Sequence, residues 1–257
     1  MIDTHAHIYL PEFDADRQDT LGRAYAAGVQ KVYLPNIDMD SIDLMHALVD
    51  EDPEHCFPMM GLHPCSVKPD FLQVLSAMEQ LLRDGNRQYF GIGECGLDYY
   101  WDKTYIEAQK QAFVIQIRLA KQYRLPLIIH SRDALDDCIA LVEEHAGANL
   151  KGIFHCFSGT AEQLERIIAS GFFAGIGGVV TFKNGGLDKV LQPEHLPYLV
   201  METDAPYLAP VPFRGKRNEP AYLTYITERL SDILSVDKET ILRNTTANAE
   251  TVFRKHS

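Results

Sequence analysis

The chain has 257 residues, of which 46% are hydrophobic and 10% aromatic, as in a globular protein that buries a full core. Its 24 basic and 36 acidic residues give a net charge of −12. That charge argues against non-specific binding of nucleic acid over the whole surface, but a local arginine cluster is compatible with a nucleic-acid substrate.

Signals for export or membrane insertion are not evident in the sequence. The N-terminus lacks a basic region followed by an apolar core, and no apolar run approaches about 18 residues. The cysteines are scattered without CxxC spacing, which indicates reduced thiols: Cys56, Cys65, Cys95, Cys138 and Cys156. We therefore expect a cytoplasmic protein with no membrane contact and no obligate protein partner.

Apolar runs of β-strand character alternate with segments of helical spacing. The predicted strands are 1–8, 31–36, 57–62, 89–94, 126–130, 151–156, 172–181 and 198–203. A helix is predicted after the fourth run, an amphipathic stripe from Leu223 to Leu234 after the eighth, and a last helix over 238–254. Runs such as LPLIIH are apolar on both faces, which is typical of buried parallel strands.

The repeating unit of about 25–36 residues is the size of a β/α unit. Eight such units, without a linker, predict one α/β domain over residues 1–257 with the (β/α)8 TIM-barrel fold. In such a barrel, residues that end successive strands meet at the C-terminal mouth, where active sites are built.

Metal-binding residue types stand at the ends of these predicted strands. His5 and His7 lie at i and i+2 of the first run, so a strand would place both imidazoles on one face. Five of the other seven runs end at or beside a residue of this kind, namely His63, Glu94, His130, His155 and Asp204. Any one histidine is more simply explained as a buried residue bonded to a backbone carbonyl. Their joint placement favours a metal site. The run GIGECG fits the GxGxxG pattern, but no helix follows it at once, so we reject a dinucleotide site.

The motifs IDTHAH, GLHP, GECGLDYY, IHSRDA, HCFSG and ETDAPYLAPVPFRGKRNEP, in this order, resemble the TatD family of metal-dependent deoxyribonucleases. The resemblance implies a TIM barrel of the metal-dependent hydrolase type. It also implies one divalent ion on His5, His7, Glu94 and Asp204, and a second on Glu94, His130 and His155. Cys65 and Phe213 depart from the histidines that many members carry there.

The chemistry of these residue types agrees with that assignment. A carboxylate such as Glu94 can ligate two cations, and two ions can polarise a phosphoryl oxygen and lower the pKa of a bound water. Asp204 is placed to accept the proton of that water. Histidine and carboxylate ligands suit Zn²⁺, Mn²⁺ or Co²⁺, whereas Mg²⁺ more usually requires oxygen ligands. Because the family that the sequence resembles is often assayed with Mg²⁺, the ion stays open between Mg, Mn and Zn.

Substrate contacts are less sharply indicated. Arg217, in the KRNEP segment, and Arg132, two residues beyond His130, could each hold a phosphate with a bidentate guanidinium, although either could equally be a solvated charge. His63 has three open roles: support for the metal ligands, a phosphate contact or a turn residue.

Three functions of different kinds compete. The first is a metal-dependent hydrolase of DNA phosphodiester bonds, acting as an exonuclease with Glu94 and Asp204 at its catalytic centre. The second is an amidohydrolase-type enzyme that cleaves a C–N or ester bond in a small molecule. The third is a metal-stabilised binding protein without catalysis, which the complete ligand set and base argue against.

Overall fold

The computed structural model describes residues 1–101, 103–147 and 149–254. Within them are eight strands, and each of the first six connections between strands contains an α-helix, whereas β7 and β8 are joined by 3₁₀ turns and two α-helices follow β8. The strands are β1 (Ile2–Asp3), β2 (Lys31–Pro35), β3 (Cys56–Met59), β4 (Ile92–Asp98), β5 (Leu127–Arg132), β6 (Gly152–Phe154), β7 (Phe172–Ile176) and β8 (Leu199–Met201). The α-helices are α1 (Arg17–Ala26), α2 (Ser41–Glu51), α3 (Phe71–Asp84), α4 (Ile106–Tyr123), α5 (Leu135–Glu144), α6 (Ala161–Ala169), α7 (Leu223–Leu234) and α8 (Lys238–Phe253).

All strand pairs are parallel, and neighbours in sequence are neighbours in space. The ladder has two parts, a sheet of β1–β3 and a sheet of β4–β8. A bridge between Met60 and Ile92 joins β3 to β4, and the Thr4 amide donates to the Met201 carbonyl at 3.1 Å where β8 meets β1. This order, with helices between parallel strands, confirms the predicted (β/α)8 class.

The observed strands are shorter than several predicted ones. The first run was predicted as 1–8, but β1 ends at Asp3, and β7 ends at Ile176 with a 3₁₀ turn over Gly178–Thr181. The segment after β1 still follows the sheet, because the amide of Ala6 donates to the carbonyl of Tyr33. In contrast, β4 continues to Asp98, so Glu94 lies inside its strand.

A small apolar cluster fills the space that the strands enclose. It contains one residue from each of six strands and three residues from the end of α8. These residues are Ile2, Tyr33, Met59, Ile128, Ile153, Val200, Ala249, Val252 and Phe253. Side chains two residues apart on a strand share a face. His130 therefore follows Ile128, and His155 follows Ile153, on the enclosed side. The polar site thus lies directly above this inner cluster.

The close approach of β4 and β5 requires a glycine beside the site. Gly96 has a φ of 137°, and a Cβ built there would lie 2.0 Å from the carbonyl oxygen of His130. Any side chain would therefore push β4 away from the strand that carries His130.

Among the described helices, none is long and apolar enough to span a bilayer.

Candidate metal centre

Four ligand atoms from three separate segments converge at the mouth of the strands. Nε2 of His5 lies 3.2 Å from Nε2 of His7 and 3.2 Å from Oε2 of Glu94. Oδ1 of Asp204 is 3.7 Å from both ring nitrogens. The structure thus brings together the first predicted ligand set, although the two histidines lie beyond the end of β1 and not within a strand.

The second oxygen of Glu94 faces a different group of imidazoles. Oε1 lies 2.9 Å from Nδ1 of His130, 3.5 Å from Nε2 of His63 and 3.7 Å from Nε2 of His155. Glu94 is therefore central, with one carboxylate oxygen toward each histidine group. His63, for which the sequence left open a phosphate contact, support for the metal ligands and a turn role, is nearer to Glu94 than His155 is.

Backbone contacts fix this arrangement. The Asp204 amide donates to the carbonyl of His5 at 2.8 Å, and the His155 amide donates to the carbonyl of Ile129 at 2.9 Å. Asp204 has a φ of 61°, in the left-handed region that aspartate tolerates better than most residues. These bonds bring the chain after β8 against the chain after β1, so residues about 200 apart share one site.

Outer partners orient several of the rings. Oδ2 of Asp98 lies 2.9 Å from Nε2 of His130, and the Tyr9 hydroxyl lies 3.0 Å from Nδ1 of His7. Nδ1 of His155 is 2.8 Å from Oε1 of Glu202, an ion-pair contact without the alignment of a hydrogen bond. Such partners set which nitrogen of each ring faces the centre.

The sequence analysis missed Asp98, Glu202 and Tyr9. A signal existed for the first two, since Asp98 lies in the quoted GECGLDYY motif and Glu202 is two residues before Asp204 in ETDAP.

Burial and neighbouring charges shift the pKa values in opposite directions. Burial, with the nearby His155, lowers the pKa of His5 well below its usual value, which favours the neutral ring. Burial acts to lower the pKa of His155, but the carboxylates of Glu202, Asp204 and Glu94 raise it to about 10. Burial raises the pKa of Asp204 to about 6, against the opposing charges of His155 and His7.

The donor set fits a divalent cation. Four carboxylates of the site are buried, namely Glu94, Asp98, Glu202 and Asp204, and no lysine or arginine is buried anywhere in the ranges that the structure describes. Buried negative charge requires a positive partner, and imidazoles supply it only when protonated. Three triads, His5–His7–Asp204, His63–Glu94–His130 and His5–His155–Glu202, each place their ligand atoms within 4.8 Å of one another. Mixed nitrogen and oxygen donors suit Zn²⁺ or Mn²⁺.

A cavity of about 1000 Å³ opens above this centre. Its walls include His63 and Arg132, as expected for substrate contacts, and also Arg214 and Lys216. A space of this volume is large enough for a ligand of nucleotide size.

The structure does not place Arg217 on that wall. Its guanidinium binds both carboxylate oxygens of Asp16 at 2.7 Å and the Glu12 carbonyl at 2.7 Å. It also stacks over the ring of Phe13, 4.5 Å from the centroid. Arg217 therefore ties its loop to the segment before α1, and Arg214, three residues earlier, faces the cavity instead. The sequence could not separate them because both belong to one basic loop.

Comparison with known sequences identifies consistent relatives. The family described as TatD related DNase matches residues 2–254. An uncharacterized metal-dependent hydrolase of Bacillus subtilis is 36% identical over 256 residues, covering 99% of each chain. A protein of Escherichia fergusonii named 3'-5' ssDNA/RNA exonuclease TatD is 33% identical over 261 residues, covering 98% of each chain.

Solved structures agree on the fold. A TatD homologue from Escherichia coli K12 superimposes with a TM-score of 0.93 at 29% identity, covering 100% of this chain and 98% of that one. A TatD family hydrolase from Entamoeba histolytica gives a TM-score of 0.84 at 21% identity, covering 98% and 97%.

Proposed function

Because this chain belongs to the TatD family of metal-dependent hydrolases, we propose that it is an exonuclease that hydrolyses phosphodiester bonds of single-stranded DNA. A relative that covers almost the whole chain is named as a 3'-5' exonuclease of single-stranded DNA and RNA, which supports this substrate class. The observation that carries the proposal is the central position of Glu94 between two histidine groups under an arginine-lined cavity.

We assign two divalent ions to this centre, one on His5, His7, Glu94 and Asp204, and one on Glu94, His130 and His155. His63 is close enough to the second group to share in it. When bound, divalent ions would supply Lewis-acid polarisation of a phosphoryl oxygen and a water of lowered pKa.

The side chains would divide the remaining work. Asp204 lines the cavity, and its carboxylate, with a pKa of about 6, is mostly ionised at neutral pH and can accept a proton from the attacking water. The guanidinium groups of Arg132 and Arg214 face the same space and can neutralise phosphates on either side of the scissile bond.

The test is cleavage of end-labelled oligonucleotides by protein freed of metal with a chelator and reloaded with Mg²⁺, Mn²⁺ or Zn²⁺. We expect stepwise shortening of single-stranded DNA with at least one ion and none before reloading. Glu94→Gln protein prepared in parallel controls for contaminating nuclease. Hydrolysis of a small amide or ester, without cleavage of DNA under any ion, would replace the proposal with the amidohydrolase alternative.

A further inference from the structure

The loop after β4 exposes two aromatic side chains beside the metal centre. Tyr100 is 53% exposed and Trp101 is 68% exposed, and their rings lie edge to face with centroids 4.9 Å apart. The guanidinium of Arg132 lies over both rings, 4.2 Å from the centroid of Tyr100 and 5.3 Å from that of Trp101. Two large exposed rings under one cation form an amphipathic surface that the core does not use.

Two of the three residues of this surface line the same cavity as the candidate metal ligands. Trp101 and Arg132 both line the cavity that contains Glu94 and His130. The backbone amides of Tyr100 and Trp101 donate to Oδ1 of Asp98 at 2.9 Å, while its Oδ2 contacts His130. One carboxylate therefore fixes the distance between the aromatic pair and the centre.

The segments that follow β7 and β8 repeat the combination of cation and ring. There the guanidinium of Arg214 lies 4.4 Å from the ring centroid of Phe182, and both residues line the cavity. In a chain with a net charge of −12, two arginines held on aromatic rings around one cavity favour an anionic ligand with flat apolar faces. A nucleotide in a single strand has both properties, since its base offers a π-face and its phosphate a charge.

We propose that Trp101, with Tyr100 and Arg132, forms a stacking subsite for an unpaired nucleobase next to the scissile phosphate. This inference rests on the proposed nuclease function. In a duplex, each internal base is covered on both faces by its neighbours, so the subsite accepts only bases of single strands or frayed ends. Stacking tolerates all four bases, and the subsite therefore selects strandedness and not sequence.

The chain contains a single tryptophan, so intrinsic tryptophan fluorescence reports on Trp101 alone. Metal-free protein should be titrated with a single-stranded oligonucleotide, with an abasic oligonucleotide of equal length and charge, and with a blunt duplex. We expect saturable quenching with the first and less than about a third of it with the other two. Fluorescence anisotropy of the same three ligands, each carrying a label, shows whether a ligand that does not quench the tryptophan is nevertheless bound.

A kinetic arm uses the metal-loaded enzyme. Trp101→Ala should raise KM for single-stranded DNA about fivefold or more with little change in kcat, because stacking is lost equally from substrate and transition state. Trp101→Phe should restore most of the affinity. Tyr198→Ala removes another exposed ring, which precedes β8 at the opposite end of the strands, and should leave KM unchanged.

The outcomes separate this inference from the proposed function. Base-dependent quenching without any cleavage would support the subsite and reject the nuclease. Cleavage with equal quenching by abasic and normal strands, or bound DNA without quenching, would overturn the subsite alone. If the metal-free protein binds none of the three ligands, the KM of the Trp101→Ala variant tests the subsite. A KM equal to that of the wild type would then reject it.

Discussion

Oδ2 of Asp98 lies 2.9 Å from Nε2 of His130, on the side of the ring opposite Glu94. His130 thus presents Nδ1 to the centre while a carboxylate holds its other nitrogen. Burial acts to raise the pKa of Asp98, but His130 and the amides of Tyr100 and Trp101 lower it well below its usual value. The carboxylate is therefore ionised and raises the basicity of the His130 ring.

Asp98→Asn should weaken metal binding by about 10- to 100-fold, because the amide holds the ring without the charge. Competition with a fluorescent chelator measures this affinity. The matched control is Glu165→Gln. Oε1 of Glu165 lies 3.0 Å from Nε2 of His195, and this pair does not belong to the candidate metal centre. Equal losses in both variants would mean that the effect is not specific to the metal site.

Glu94→Gln should leave a carbonyl oxygen for one histidine group and an amide nitrogen, which cannot ligate, for the other. We expect the metal content to fall from the proposed two ions per chain to one, and kcat/KM on DNA to fall by at least about 100-fold. Elemental analysis of the dialysed protein gives the stoichiometry. Circular dichroism should remain that of the wild type, because the apolar packing beneath the mouth does not involve this side chain.

Metal affinity should rise with pH. The pKa of His155 is about 10 in the metal-free site, so its ring carries a proton at neutral pH that a metal must displace. Each unit of pH between 6 and 8 should therefore strengthen binding by up to about tenfold. Calorimetry in buffers with different ionisation enthalpies would measure the released protons. Affinity independent of pH would contradict the assignment of His155 as a ligand.

Arg214 and Arg217 should behave differently although they share a loop. Arg214→Ala removes a charge from the cavity wall and should raise KM for oligonucleotides by about three- to tenfold at low salt, with a smaller effect at high salt. Arg217→Ala breaks the bond to Asp16 and should mainly lower thermal stability. Michaelis constants at two salt concentrations, with melting curves of both variants, distinguish the roles. A larger KM effect for Arg217→Ala would restore it as the phosphate contact.

The sequence predicted the fold well because the eight apolar runs and their spacing are properties of the chain itself. It also predicted that the six candidate ligands lie close together, since strand ends in a barrel share one edge; their role as ligands stays a prediction. It could not show that Glu94 lies inside β4, because an apolar run does not mark where a ladder ends. That residues 1–257 form a single domain remains a prediction.

Side-chain partners were the least predictable part. Whether His63 approaches Glu94 or the solvent depends on a rotamer and on the turn that follows, in which its Nδ1 accepts from the Cys65 amide at 3.1 Å. Arg217 was expected to hold a phosphate, but its guanidinium binds the carboxylate of Asp16, which lies about 200 residues earlier in the chain. Such pairings join distant segments and leave no local pattern in the sequence.

The division of the ladder into two sheets has a consequence for local unfolding of the protein. His5 and His7 follow the three-stranded sheet, whereas Glu94, His130 and Asp204 come from the five-stranded one. A cation bound by both sets would cross-link the sheets where the regular ladder is interrupted. At 100 times its dissociation constant, such a ligand adds about 2.7 kcal/mol to the free energy of unfolding. Amide hydrogen exchange at Thr4 and Asp204 should therefore accelerate on chelation before that of the central strands.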